Sequence, residues 1–225
     1  MVTPALIEWS IGTNQHEGPS PLIETIVPAV YQGKRVWRVV HRDPDPVVSG
    51  AINDYDMYDV EQDSLKPLRG VMNREGFYLG LTFEGDRVRI DRRAGDDRKQ
   101  AAIIVHNPRP EGPGETVLLA TLPLEVGYRT TFQIVDRWAK DGTDPVKWID
   151  LVVAKAERLQ SPLGSCEVYE VTMAPRDGSF HIREWVRATP PRYPVKTEYI
   201  RGEMTLISEV TRMVLEHGSP GCAPP

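Results

Sequence analysis

Turn-forming residues divide this sequence into short segments, and their spacing constrains the fold more than any other feature. Glycine, proline and aspartate recur roughly every 8 to 12 residues, as in residues 32–34 and 84–86. Between the turns apolar and polar residues alternate, and in residues 77–83 every second residue is apolar. The pattern predicts an all-β fold, an antiparallel meander of about a dozen strands. Because strand twist accumulates, such a sheet must curl into a half-barrel, an open barrel or a sandwich.

One segment departs from the strand pattern, and the two chain ends lack clear alternation. In residues 115–122, apolar side chains cluster on one side of a helix, which predicts a short helix at one end of the sheet. Residues 22–213 are uniform in composition and are predicted to form a single β half-barrel domain. Residues 1–21 are predicted to be an irregular lead-in, with a short edge strand around residues 5–11. Residues 214–225 are rich in glycine and proline and are predicted to be a disordered tail.

Charge and hydropathy exclude some classes of partner. The net charge of −5 argues against a nucleic-acid-binding surface, which normally carries a basic face. The sequence has no apolar run long enough for a transmembrane helix, and no signal peptide is visible. The two cysteines, Cys166 and Cys222, are expected to be free thiols, with a disulfide as the alternative if the protein is exported.

Four short motifs resemble those of a bacterial family of unknown function. LPLEVGY at residues 122–128 resembles the family's LPL-x-x-GY turn, and PLGSCEVY at residues 162–169 resembles its turn into a strand. Two more motifs resemble segments of the family. They are EWV followed by PRYPVK, at residues 184–186 and 191–196, and the hairpin over residues 56–69. The family's members are mostly exported half-barrels similar to periplasmic lipoprotein carriers. The resemblance therefore implies a half-barrel and a periplasmic or exported location. Its motifs are turns and packing residues and carry no chemistry.

A candidate ligand patch follows from alternation on two neighbouring strands. Trp37 and His41 share one face of their strand, while Asp54, Asp56 and Tyr58 share one face of the next. Successive strands usually pair, so these faces are predicted to meet on the concave side of the sheet. The aromatic rings of Trp37 and Tyr58 together with a few polar groups are typical of a site for a small apolar ligand. The two aspartate carboxylates and the imidazole could instead bind a cation.

Two further candidates lie on a later strand. His181 and Glu184 have opposite parity, so at most one joins the patch without a bulge. The neighbours of Glu184 on its own face are apolar. A buried carboxyl group there would need a partner, and the preferred interpretation is that the sheet leaves the core at this point.

These residues support two functional hypotheses. The first is a binding protein that holds an apolar or amphipathic small molecule on its concave face and needs no cofactor. The second is a hydrolase of esters or phosphoesters, with a divalent metal held by His41, Asp54, Asp56 and His181. The histidines show no HxH or HExxH spacing and no GxSxG motif is present, so the sequence identifies no catalytic residue. It leaves the oligomeric state open.

Overall fold

A computed structural model describes residues 2–14, 19–42, 54–139, 143–217 and 222. The described residues form fourteen strands in one antiparallel sheet, together with one α-helix, α1 (Glu115–Thr121), which follows a 3-10 turn at Gly112–Gly114. The strands are β1 (Ala5–Thr13), β2 (Ser20–Tyr31), β3 (Lys34–Arg42), β4 (Tyr55–Glu61), β5 (Pro67–Arg74), β6 (Phe77–Glu84), β7 (Arg87–Ala94), β8 (Asp97–Ile104), β9 (Arg129–Val135), β10 (Val146–Ser161), β11 (Gly164–Pro175), β12 (His181–Arg187), β13 (Pro194–Arg201) and β14 (Met204–Leu215).

The sheet is an open half-barrel, as the sequence predicts. Its order runs from β8 down to β1, then from β14 down to β9, so β8 and β9 are the two edges. The short strand predicted around residues 5–11 as an edge strand is instead β1, at the centre of the sheet between β2 and β14. The prediction of an irregular lead-in fails because β1 finds a partner about 200 residues away, which local sequence patterns do not reveal.

Tight turns fix the register of the sheet. The β2–β3 hairpin turns over Gln32 and Gly33, whose φ angles are 49° and 77°. Two successive positive φ values define the type I′ turn, whose twist matches that of the flanking strands. The register that follows places Glu24 opposite His41, and β3 in turn places His41 opposite Asp56. The predicted strand over residues 49–60 is described only as β4, because residues 43–53 lie outside the described part.

The segment between β8 and β9 crosses the open side of the half-barrel. Arg109 donates its backbone N–H to the carbonyl of Gln133 on β9, which ties the segment to that edge. Helix α1 then buries Val117, Leu118 and Leu119 against the sheet. The predicted helix is therefore confirmed, and it fills the concave side. No helix in the described ranges is long and apolar enough to cross a membrane.

The expectation of free thiols is wrong, because Cys166 and Cys222 form a disulfide. Strand β14 also extends to Leu215, into the segment predicted to be a disordered tail. The topology explains the bond. Strand β14 runs opposite to β11, three places away in the sheet, so the end of β14 and the start of β11 lie at the same end of the sheet. A chain that leaves β14 there is close to Cys166.

Candidate functional site

The concave face encloses a cavity of about 590 Å³ between the curled sheet and the crossing segment. Residues of β1 to β5 and of β9 to β14 form its walls, and α1 closes it from the open side. Much of the lining is apolar, including Ile11, Leu118, Phe132, Ile149, Phe180 and Leu206. The phenyl ring of Phe180 stacks on Tyr199 with 5.7 Å between ring centres.

A polar row crosses one wall of this cavity. Glu24, His41 and Asp56 lie directly opposite one another on β2, β3 and β4, and all three line the cavity. The indole Nε1 of Trp9 donates a hydrogen bond of 3.0 Å to Glu24 Oε2. His41 Nε2 lies 3.2 Å from the same oxygen, so the imidazole forms an ion pair with Glu24 when it is protonated.

Asp56 belongs to a buried network of ion pairs. Its Oδ2 lies 2.9 Å from Arg74 and 3.3 Å from Arg137. The Arg137 side chain is only 5% exposed, and its Nε also pairs with Glu111 in the crossing segment. Gly112 makes room for this guanidinium, because its φ is +58° and a Cβ atom there would overlap Arg137. The network thus joins the crossing segment to β4.

Glu184 lies on another wall of the cavity and has fewer polar partners than Asp56. The residue is 5% exposed, and Glu184 Oε1 accepts a hydrogen bond of 3.3 Å from the Thr197 hydroxyl. Burial raises the pKa of Glu184 well above its usual value, and the nearby charges of Glu115 and Glu24 raise it further. Burial and the charge of Glu111 likewise raise the pKa of Glu115, on α1, to about 8.

The structure brings together some of the sequence-predicted residues. His41, Asp56 and Glu184 line the cavity. Tyr58 lies on the same face of the sheet as Asp56 but is fully buried, with the Arg137 guanidinium 5.9 Å above its ring. Two other candidates, Trp37 and Asp54, are not part of the lining: Trp37 packs partly buried against the core, and Asp54 directly precedes β4.

His181 and Glu184 lie on opposite faces of β12, as their positions in the sequence predict. Glu184 faces the cavity with Phe180 and Ile182, so the interpretation that the sheet leaves the core there is wrong. The reason is that the sheet curls, so that β12 lies beside the cavity and is covered by α1. His181 has the opposite parity to Glu184 and does not line the cavity.

The proposed set of metal ligands is not assembled. His181 lies on the other face of the sheet from His41 and Asp56, and two guanidinium groups already contact Asp56. Across the described ranges, no group of three or more His, Cys, Asp or Glu side chains could hold a metal ion.

Sequence reasoning missed several charged residues of the cavity. Glu24 follows Leu22 and precedes Ile26 on one face of β2, which is the same signal of an acid on an apolar face that Glu184 gives. Glu111 and Arg137 lie in irregular segments, where no periodicity indicates the direction of a side chain. Beyond Arg74 and Arg137, a second cavity of about 560 Å³ continues along β5 to β8.

Comparison with known proteins identifies the fold. The chain aligns with a beta-barrel-like protein of domain of unknown function DUF1849 from Brucella abortus, with a TM-score of 0.54 and 9% identity over 96% of this chain and 99% of that one. It shares the fold of that protein. The half-barrel implied by the motifs in residues 56–69 and 122–196 is therefore confirmed. No protein-family model and no curated protein matches the sequence.

Two further solved structures align with lower scores. A protein from Bacteroides fragilis, described as exported and with a YmcC-like fold, aligns with a TM-score of 0.35 and 12% identity over 95% of this chain and 96% of that one. A protein from Parabacteroides distasonis, described as a lipoprotein, aligns with a TM-score of 0.33 and 9% identity over the same shares of the two chains. The conclusion about the fold depends on the Brucella structure alone.

Proposed function

We propose that this protein binds an apolar or amphipathic small molecule in the concave cavity. The observation that carries the proposal is a cavity of about 590 Å³ with an apolar lining and a few buried polar groups. Small-molecule sites typically enclose about 300–1,000 Å³ and combine these two features. The stacked rings of Phe180 and Tyr199 provide a flat apolar surface on one wall.

The lining can adapt to a ligand. Met173 and Met204 line the cavity, and methionine side chains adjust their shape at low energetic cost. Ile11 and Leu206 are partly exposed, although their faces of β1 and β14 point to the concave side. Apolar surface that the fold leaves accessible gains free energy when a ligand covers it.

The same observations give the hydrolase hypothesis no support. The four candidate metal ligands do not converge, and Asp56 is neutralised by guanidinium groups. We therefore propose a binding protein.

We also propose that the protein works outside the cytoplasm. The disulfide between Cys166 and Cys222 supports this location, because disulfides persist mainly in oxidising compartments.

A pair of adjacent substitutions tests the proposed function. Leu206 lines the cavity, whereas its neighbour Ile207 is exposed on the other face of β14. We expect Leu206→Trp to fill the cavity and to weaken binding of the uncharged fluorescent dye N-phenylnaphthylamine by about tenfold or more, a change of about 1.4 kcal/mol. Ile207→Trp introduces the same ring on the opposite face and should leave dye binding unchanged.

Dye titration measures the affinity of each variant, and circular dichroism confirms that each remains folded. Equal affinities of the wild type and Leu206→Trp would show that the dye binds elsewhere and that the cavity is not the site.

A further inference from the structure

Charged side chains in the cavity are unevenly paired. Six carboxyl groups line it but only three guanidinium groups do. Each guanidinium already pairs with a carboxylate: Arg74 with Asp56, Arg137 with Asp56 and Glu111, and Arg201 with Asp136. The three remaining carboxyl groups belong to Glu24, Glu115 and Glu184.

These three glutamates lack strong cationic partners. Among the described residues Glu24 accepts a hydrogen bond from the Trp9 indole, and its only ion-pair partner is the imidazole of His41. Neither Glu115 nor Glu184 forms an ion pair with a described residue. Glu24 is 0% exposed and Glu184 is 5% exposed. Glu24 Oε1 and Glu184 Oε2 are both buried and accept no hydrogen bond from any described residue. A buried oxygen without a donor is destabilising, so these two atoms are ready to accept hydrogen bonds from a ligand.

The three glutamates converge although they come from distant parts of the sequence. Glu24 is on β2 and Glu184 on β12, four places apart in the sheet, and Glu115 is on α1. The curl of the sheet brings them to one cavity, where Glu24 and Glu115 both act electrostatically on Glu184. The three glutamates therefore form an acidic cluster, which we call the glutamate end, while the other charged side chains of the lining are paired with one another.

We propose that the ligand is an amphiphile with a primary ammonium group, which donates hydrogen bonds to Glu24 and Glu184 at the glutamate end. This inference rests on the proposed binding function and names the chemistry of the ligand. The apolar body of the ligand lies along Ile149, Phe180 and Leu206. Glu115 adds negative charge from α1 and favours the cation further.

An ammonium group fits this end better than other polar groups. It offers three N–H donors and one positive charge, whereas a hydroxyl offers one donor and no charge. Hydrogen bonds between ionised partners are roughly twice as strong as those between neutral ones. A carboxylate ligand would bring a seventh carboxyl group to a cavity whose three guanidinium groups already pair with carboxylates. In the protein alone burial favours the protonated form of Glu184. The ammonium charge stabilises its carboxylate, and the displaced proton leaves to solvent.

Three ligands with the same chain length test the inference. Dodecylamine, dodecanol and dodecanoate are titrated below their aggregation concentrations against the wild type loaded with N-phenylnaphthylamine. We expect the amine to displace the dye with an affinity about tenfold higher than that of the alcohol, and dodecanoate to bind more weakly than the alcohol.

Substitutions of single glutamates show which of them produces the preference for the amine over the alcohol. Glu184→Gln keeps the shape of the side chain and should remove most of the amine's advantage over dodecanol, and circular dichroism confirms that the variant remains folded. Glu115→Gln, on the helix, should reduce the same advantage less. Glu167→Gln serves as the control, because Glu167 is exposed and pairs with Arg158 on the surface.

The outcomes separate the inference from the proposed function. Equal affinities for amine and alcohol, or an advantage that survives in a Glu24→Gln, Glu184→Gln double variant, would overturn the inference and leave the binding function standing. If none of the three compounds competes with the dye, or if Leu206→Trp still binds them as the wild type does, the proposed function fails and the inference fails with it.

Discussion

Two walls of the same cavity bury carboxyl groups in different ways. On β4, Asp56 is 6% exposed and contacts the guanidinium groups of Arg74 and Arg137. On β12, Glu184 is buried to the same degree, but its only described hydrogen bond comes from the Thr197 hydroxyl. The first wall is held by ion pairs. The second wall contains β12, and the adjacent strand β11 is linked by a disulfide.

The difference shows that the environment of a carboxyl group, and not its depth, decides its chemical role. Two guanidinium groups lie within ion-pair distance of Asp56, and through Arg137 the carboxylate holds the crossing segment to the sheet. Burial without such a partner favours the protonated form, as at Glu184. A group of the second kind gains most from a ligand that supplies the missing charge.

The ion pairs of the Asp56 wall give the largest expected effect. Arg137→Met leaves Asp56 and Glu111 without their shared cation, so we expect a loss of about 3–5 kcal/mol in the free energy of unfolding, as for other broken buried pairs. Urea titration measures this loss. Arg158→Met removes the exposed pair with Glu167 and should cost less than about 1 kcal/mol. Similar losses for the two variants would show that the network contributes no more than a surface ion pair.

The disulfide next to the Glu184 wall gives a comparable effect. Cys222→Ser opens a bond between residues separated by 56 positions. In the chain-entropy model such a bond stabilises by about 4 kcal/mol, which corresponds to a fall of about 10 °C in the melting temperature of a protein this size. Calorimetry with and without a reductant measures it. Reductant should lower the melting temperature of the wild type but not that of Cys222→Ser, and the reverse pattern would contradict a stabilising bond.

Replacing each buried carboxyl group by an amide of the same shape compares the contributions of the two walls to stability. We expect Asp56→Asn to lower the free energy of unfolding by about 2 kcal/mol, because hydrogen bonds between charged groups are lost. Glu184→Gln should change it by less than about 1 kcal/mol, because burial raises the pKa of Glu184 and disfavours its charged form, and no ion pair with a described residue is lost. Urea titration of both variants at one pH suffices. Equal losses would remove the distinction between the walls.

The pH dependence of stability gives an effect that is spread over several pH units. The pKa of Glu115 is about 8 in the folded protein against an ordinary value of 4.5, so the folded state binds more protons between these values. Its stabilising contribution is complete below about pH 4.5 and is lost as the pH rises towards 8, by at most about 1.4 kcal/mol per pH unit. Glu111, Glu184 and Arg137 are the charged groups that face it.

Unfolding at pH 5, 6, 7 and 8 measures this dependence. Glu115→Gln should flatten it, while Glu125→Gln, in an exposed turn after α1, should leave it unchanged. A wild-type stability that rises between pH 5 and 8 would contradict the assignment.

The sequence predicts well what depends on local periodicity. Alternation places the side chains of His41 and Asp56 on one face, and their strands β3 and β4 are successive and pair, so this pair could be predicted. Alternation also separates His181 from Glu184. The fold class follows from the same signal repeated along the chain.

Contacts between distant segments could not be predicted in this way. Arg137 and Glu111 meet because two irregular loops cross, and no period indicates that contact. The disulfide and the central position of β1 depend on the return of β14, which is also invisible to a local pattern. Glu184 gave a signal, an acid on an apolar face, but its burial depends on α1 and on the curl of the whole sheet.

The pairing of β1 with β14 has a consequence for biosynthesis. Glu8 and Thr211, which contact each other across this ladder, are separated by 203 residues. At a synthesis rate of about 5–20 residues per second, β1 waits roughly 10–40 seconds before its partner is made. During that time one side of β1 is an open strand edge, which attracts other unpaired strands. The centre of the finished sheet is thus the region that a nascent chain must protect longest from aggregation.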